Sequence, residues 1–249
     1  MPGLPAPRPS RGAAAIAPLL ALFVPSRCAV CEAPRTDTGG GGVCAACWSA
    51  LPRTEAAAAC PRCALPSAGG ACAACRRQAP PLARTVAFGP YAGGLKSLLV
   101  AFKFRGWDLL AEPCGALLAE AARAERLDAG ADAVVPVPST RRRNRARGYD
   151  PAGLLAEAAA RRLSLPFRAL VSRVRETVPQ SELPASQRRA NLEGAFAAAS
   201  SARGRVLVLV DDVATTGATL FTAARALADA GAAEIRGLVL ARTPEPEPA

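Results

Sequence analysis

The stretch Val206–Leu220, VLVLVDDVATTGATL, runs from unbroken apolar residues into two adjacent carboxylates, Asp211 and Asp212, and then into threonines around Gly217. A continuous valine and leucine run marks a parallel strand covered on both faces. GATLFTAARALADAG follows with helical spacing and closes at Gly231, and EIRGLVLAR is again a strand. Strand, helix and strand of these lengths make a βαβ unit, so the domain should be α/β with a mostly parallel sheet. Side chains at the carboxyl end of a central strand face the crevice where such folds bind ligands. The turn beyond it carries the hydroxyls of Thr215, Thr216 and Thr219 at a helix N-terminus, where free N–H groups and the helix dipole favour a phosphate. The two acids would repel that phosphate if they touched it. They must face something else, such as sugar hydroxyls or Mg2+, and the pattern suggests a sugar with a phosphate attached. Taken singly, Asp212 would be a turn cap and the threonines ordinary helix starters; their contiguous order favours the ligand site. Neither GxxxxGK[ST] nor a strand-borne GxGxxG is present.

Upstream, TVAFGPY reads as a short strand, AGGLKSLLVAFKF as a helix broken by Gly106, and LLAEPCGALLAEAARAERL as an alanine-rich helix. DAVVPVP is a buried strand stopped by prolines. DPAGLLAEAAARRL begins a helix with Asp150 as N-cap and Pro151 at its first position. STRRRNRARG crowds Arg141, Arg142, Arg143, Arg145 and Arg147 into a basic loop, part solvated and part free to meet phosphates or single-stranded nucleic acid. RVRETVPQSELPASQRRANLEGAF is polar and arginine-rich, a candidate mobile flap.

The chain has 249 residues, 51% hydrophobic but only 4% aromatic, so its core must be built from Ala, Leu and Val. The formal net charge is +11, nearly all from arginine, with lysine only at 96 and 103. That balance favours anionic partners. The absence of histidine excludes Ser-His-Asp and Cys-His catalysis, histidine-ligated metals and histidine bases.

Eight of the nine cysteines form four CxxC pairs: Cys28/Cys31, Cys44/Cys47, Cys60/Cys63 and Cys72/Cys75. A two-residue spacer lets both sulfurs of a pair turn toward one ion, and two such knuckles complete a tetrahedral site. Two closed, architectural Zn2+ sites are expected. Eight thiolates on two ions would change the formal charge by −8 + 4, from +11 to about +7. Sequential pairing has the shorter loops and is the expectation; interleaved pairing uses the same residues. A disulfide framework would need an oxidising compartment. Arg8, Arg11 and AAAIAPLLALFV could pass for a signal peptide, but Pro18 interrupts the run and no A-x-A site follows. No stretch reaches the roughly 18 apolar residues of a membrane span. A cytoplasmic protein with a short N-terminal apolar helix is expected. Cys114 reads as a small buried residue.

VLVLVDDVATTGAT resembles the phosphoribosyl-pyrophosphate motif of type I phosphoribosyltransferases. The likeness extends over about residues 19–242 to the competence-associated ComF family, which joins a cysteine-rich zinc ribbon to this transferase domain. Its opening LLF-P-x-x-C-x-x-C is matched by LALFVPSRCAVC, its LKYRG by FKFRG with Lys103 and Arg105, and its VPVP...RRR...RGFNQ by VPVPSTRRRNRARGYDPAG. Its T-x-x-Q and R-x-x-N are matched by Thr177, Gln180, Arg188 and Asn191. Where the family has Asn-Gln, this chain has Asp150-Pro151.

The resemblance implies a type I phosphoribosyltransferase fold over residues 83–242 behind a double zinc ribbon at 28–82; a leader at 1–27 precedes them, and the composition of TPEPEPA predicts a disordered tail at 243–249. It implies that Asp211 and Asp212 hold ribose hydroxyls and that Thr215, Thr216, Gly217, Ala218 and Thr219 hold the 5-phosphate. Ser139, Thr140 and Arg141 would lie at the pyrophosphate, and Lys103, Arg105, Thr177 and Gln180 complete the substrate-binding set. The donor would be phosphoribosyl pyrophosphate with Mg2+. The acceptor is unspecified, its contacts falling within residues 85–107, and single-stranded DNA or the competence machinery is an implied partner. A non-catalytic DNA-handling protein on the same fold is the competing expectation.

Overall fold

The computed structural model describes residues 26–35, 41–175 and 192–244. The apolar helix expected near the N-terminus, the centre of the expected flap and most of the expected tail lie outside the described residues.

The sheet is four-stranded and parallel, with order β3-β8-β7-β4: β3 is Arg84–Pro90, β4 Ala133–Pro136, β7 Val206–Ala214 and β8 Glu234–Arg242. Val206–Ala214 is central, flanked by parallel partners on both sides, which is why its sequence is apolar without alternation. Val208 and Val210 face a cluster that includes Leu95, Phe102 and Leu118, whereas Leu207 and Leu209 face one that includes Leu220, Ala223 and Leu227. The first cluster is covered by α3 (Gly93–Phe104), α4 (Ala111–Ala124) and α6 (Pro151–Leu163), the second by α7 (Ala218–Asp229).

A core with few aromatics must bring its helices close. A methyl group on Gly115 of α4 would come within 2.4 Å of the Ala158 side chain on α6, so the two helices approach at van der Waals limits. α6 begins as expected, with Asp150 in extended conformation at the N-cap and Pro151 following.

The segment 139–148 departs from expectation. It is not a loop: α5 runs from Arg141 to Arg147, capped where the Thr140 hydroxyl accepts the Arg143 N–H at 3.3 Å. Arginine is a good helix former, and Gly148 ends the helix with φ 83° while donating to the Asn144 carbonyl. The ends of the expected flap also take up structure, as a short antiparallel ribbon of β5 (Val171–Arg173) and β6 (Phe196–Ala198).

Before the sheet lie two small folding units. In the first, β1 (Ser26–Arg27) pairs with β2 (Pro34–Arg35) and α1 (Ala45–Ser49) follows; in the second, α2 is Ala73–Arg77. Among the described residues no helix is long and apolar enough to cross a membrane.

Candidate functional site

Apolar alternation along β7 holds to Val210, but Val213 packs on the α3/α4/α6 side and Ala214 on the α7 side, so the phase shifts across Asp211–Asp212. The backbone there turns to the carboxylates. Asp212 N–H donates to Asp211 Oδ1 at 2.8 Å, and Val213 N–H to Asp212 Oδ1 at 2.5 Å. Both acids are buried. Lys103, from the last turn of α3, donates from Nζ to Asp212 Oδ1 at 2.8 Å. In a chain that otherwise uses arginine, one of its two lysines thus neutralises this acid. Burial, then the neighbouring Asp212 charge, pushes the Asp211 carboxyl well above the usual range against the pull of Lys103.

A third carboxylate belongs to the group. Asp150 is raised mainly by burial and also by Asp212, while the Gly153 and Ala152 N–H groups and the Ser139 hydroxyl act the other way. Its Oδ1 is buried without a hydrogen-bond partner among the described residues. Asp150 therefore adds negative potential to the diacid. Arg147 faces the same acids: burial lowers its guanidinium, and Asp212 and Asp150 raise it. Its guanidinium lies over the Phe104 ring at 4.9 Å. Tyr149 donates its hydroxyl to the Phe102 carbonyl. Sequence reasoning named Arg147 only as one of five arginines free to meet phosphates and did not name Tyr149, since each acquires its position only when α3 and α5 meet.

The turn after β7 forms the other half. Gly217 has φ 79°, a left-handed conformation, and a Cβ there would meet the Phe221 ring at 2.6 Å, so only glycine fits. Ala218 N–H donates to Thr216 Oγ1 at 3.3 Å, opening α7. Thr215 is exposed and Thr219 half-buried. Carboxylates, a positive-φ turn and a helix N-terminus thus follow one another within nine residues, as expected.

Of the other expected residues, Ser139, Thr140 and Arg105 have partners within the protein. Ser139 donates to Asn144 Oδ1, Thr140 caps α5, and Arg141 is exposed. Arg105 points away from the acids and pairs with Glu32 at 2.9 Å. Thr177, Gln180, Arg188 and Asn191 lie outside the described residues.

The cysteines group sequentially: Cys28, Cys31, Cys44 and Cys47 in one set, Cys60, Cys63, Cys72 and Cys75 in the other, with the sulfurs of each set within 4.8 Å of one another. Tetrahedral Zn–S bonds of about 2.3 Å require sulfurs about 3.8 Å apart. Cys31 and Cys44 sulfurs are 3.9 Å apart, and Cys63 and Cys72 sulfurs 3.7 Å. The two sets repeat one knuckle. Cys28 N–H donates to the Ala33 carbonyl at 2.9 Å as Cys60 N–H does to that of Leu65 at 2.7 Å. Glu32 and Ala64, each just after the second cysteine, have φ 60° and 57°. The N–H of Cys44 donates to Cys28 Sγ and that of Cys72 to Cys60 Sγ, both at 3.3 Å. Burial opposes the thiolate at Cys28 and Cys60, but such backbone donors outweigh it, bringing them to about 6 and about 7. Sequence reading found the repeated CxxC spacing but not the left-handed residue of each knuckle, which is Glu32 in one set and Ala64 in the other. All nine cysteines are free of disulfides, and burial pushes Cys114 up to about 12.

Comparisons with known proteins agree with this geometry. A family model of the double zinc ribbon domain matches residues 19–77, and one of the phosphoribosyl transferase domain matches residues 152–249. The Escherichia coli K12 DNA utilization protein YhgH is 34% identical over 228 residues, covering 89% of this chain and 99% of its own. Competence protein F of Haemophilus influenzae is 36% identical, covering 69% of this chain and 78% of its own. Among solved structures, a Bacillus subtilis glutamine phosphoribosylpyrophosphate amidotransferase overlaps 51% of this chain and 25% of its own at 21% identity, with TM-score 0.36.

Proposed function

Since the chain belongs to the ComF family, with a double zinc ribbon ahead of a phosphoribosyltransferase-type domain, we propose that it binds phosphoribosyl pyrophosphate and transfers the phosphoribosyl group to an acceptor. The observation that carries this reading is the pair of buried acids at the end of the central strand, leading directly into the left-handed Gly217 turn. The acids suit ribose hydroxyls: carboxylate oxygens accept hydrogen bonds, and Asp211, holding its proton more tightly than usual, can also donate one. The hydroxyls and N–H groups of Thr215, Thr216, Gly217, Ala218 and Thr219 suit the 5-phosphate at the start of α7. Ser139, Thr140 and Arg141 flank the pyrophosphate, with Lys103 and Arg147 as nearby cations; Arg105, Thr177 and Gln180 belong to the proposed set by resemblance.

In the transfer, the bond from the anomeric carbon to a pyrophosphate oxygen breaks and its electron pair leaves with pyrophosphate. The acceptor bonds to the same carbon and releases its proton to water. The residues hold the ribose and offset the departing charge, a task of positioning and electrostatics that requires no histidine. Asp150 Oδ1, without a hydrogen-bond partner among the described residues, and Asp212 offer hard oxygens that suit Mg2+. Mg2+ bound there would add positive charge beside the pyrophosphate. The two four-cysteine groups would hold structural zinc, and unbridged thiols fit a reducing cytoplasm.

Calorimetric titration with phosphoribosyl pyrophosphate and Mg2+ tests the reading. Binding is expected in the native protein and should be lost in the Asp211→Asn, Asp212→Asn double variant with the fold intact by circular dichroism. Equal binding in both would reject the assignment.

A second reading, single-stranded DNA handling, is favoured by a different observation. α5 presents Arg141, Arg142 and Arg145 to solvent, and Phe104 beside it is 66% exposed under Arg147. Basic side chains with an exposed ring suit a single strand.

A further inference from the structure

Arg242, the last residue of β8, is 3% exposed and joins two other backbone segments. Its Nε donates to the carbonyl of Cys63 at 2.9 Å, and its Nη1 donates to the carbonyl of Ala214 at 2.7 Å and to that of Thr215. Cys63 belongs to the second cysteine set. Ala214 and Thr215 are the residues that open the Gly217 turn. An apolar contact runs alongside. Phe221 of α7 packs against the cluster of Cys60, Cys63, Leu65 and Cys75, and its ring also occupies the space a Gly217 side chain would need. Next to these contacts, second cysteine set and transferase helix part around a groove of about 730 Å3. The second cysteine set and the turn are thus linked by Arg242 and Phe221, beside Ala64, which lies in the same apolar cluster as Ala214 and Ala218.

We propose that Arg242 is a positioning residue that couples the second four-cysteine site to the anion-binding turn. This rests on the proposed donor site. Ala64, directly after Cys63, is held at φ 57°, a conformation unfavourable for a side chain and maintained by the closed knuckle. An ion on the four sulfurs would fix that knuckle and with it the Cys63 carbonyl. A guanidinium is a rigid planar fork, so fixing one end orients the donors at the other. Lysine would keep the charge but cannot span both sets of carbonyls in fixed geometry. Coupling of this kind is reciprocal: whatever the zinc does for the phosphate, the phosphate must do for the zinc.

The test uses the full chain with both sites zinc-loaded. Zinc transfer to a colorimetric chelator is followed with and without phosphoribosyl pyrophosphate and Mg2+, in the native protein and in Arg242→Lys. In the native protein, one of two zinc equivalents is expected to leave about tenfold more slowly when the donor is present, within the usual range of allosteric coupling. In Arg242→Lys that difference should vanish, the donor should bind about tenfold more weakly by calorimetry, and release of the other zinc should be unchanged. A donor that binds the native protein without slowing either zinc, or that binds Arg242→Lys as tightly, overturns the coupling while leaving the donor site standing. A donor that fails to bind the native protein overturns both. Should Arg242→Lys not fold, the native comparison alone decides, since it needs no variant.

Discussion

The two cysteine sets share a knuckle down to its left-handed residue, yet they are embedded in opposite ways. Cys28, Ala29, Val43 and Leu51 of the first ribbon lie in the same apolar cluster as Leu95, Phe102 and Leu118 of the transferase domain. Cys60, Cys63, Leu65 and Cys75 of the second form a small cluster of their own against Phe221, and the knuckle's Ala64 alone among these neighbours joins the α7-side core. Equal local chemistry thus serves unequal purposes. The first set is part of the main core; the second is a knot held against the sheet by Thr85, whose N–H donates to the Pro61 carbonyl and whose hydroxyl donates to that of Arg62, and against the turn by Arg242. A ligand set says what it binds, and its surroundings say what depends on the binding.

The largest expected effect breaks that comparison directly. Structural zinc in small modules contributes on the order of 10 kcal/mol, comparable to the whole stability of a domain. Cys28→Ser is therefore expected to leave no folded chain, because losing the first knot opens the main core. Cys75→Ser should lose one zinc equivalent while the sheet keeps a cooperative thermal transition. Zinc stoichiometry and thermal unfolding of the two variants measure this. If both variants unfold alike, embedding is irrelevant and the contrast fails.

The strands and most helices around the site were legible because periodicity and caps are local signals. The continuous run at 206–210 and Asp150-Pro151 before α6 fall where sequence places them. The helix at Arg141–Arg147 was read as a loop because five arginines suggest solvation more loudly than one threonine cap suggests helix. Within the site, the acids and the turn were legible since they are contiguous. The contacts of Lys103 and Asp150 with Asp212, and of Arg242 with Cys63, span 109, 62 and 179 positions, and only tertiary packing creates them.

A third crowded anionic group extends the comparison. The cysteine sets can shed their charge to a metal, whereas Asp150, Asp211 and Asp212 have Lys103 and the tighter hold of Asp211 on its proton. A carboxyl raised above its unfolded value of about 3.9 binds its proton more tightly when folded. Its contribution is full below that value and is lost as pH rises through the folded value. Asp211→Asn removes the loss, and is expected to raise the melting temperature at pH 7 by about 2–4 °C, the shift of roughly 1 kcal/mol in a chain of this size. Below about pH 4 the two proteins should melt together. A lower melting temperature for the variant at pH 7 would show that the acid is not under strain.

The smallest effect sharpens the contrast between the two knuckles. Each is tied to the transferase domain by an arginine: Arg105 to Glu32 beside Cys31, and Arg242 to the carbonyl of Cys63. Arg105 and Glu32 have half or more of their side-chain surface in water, so their attraction is screened and offset by the entropy of holding two long side chains. Arg105→Ala is expected to cost no more than about 0.5 kcal/mol by denaturant titration, with no change in release of either zinc. Raising the salt concentration should remove even that difference. A cost several times larger, or a faster loss of the first zinc, would mean that the exposed tether matters as the buried one does. The division between a knot built into the core and a knot wired to the turn would then have to be redrawn.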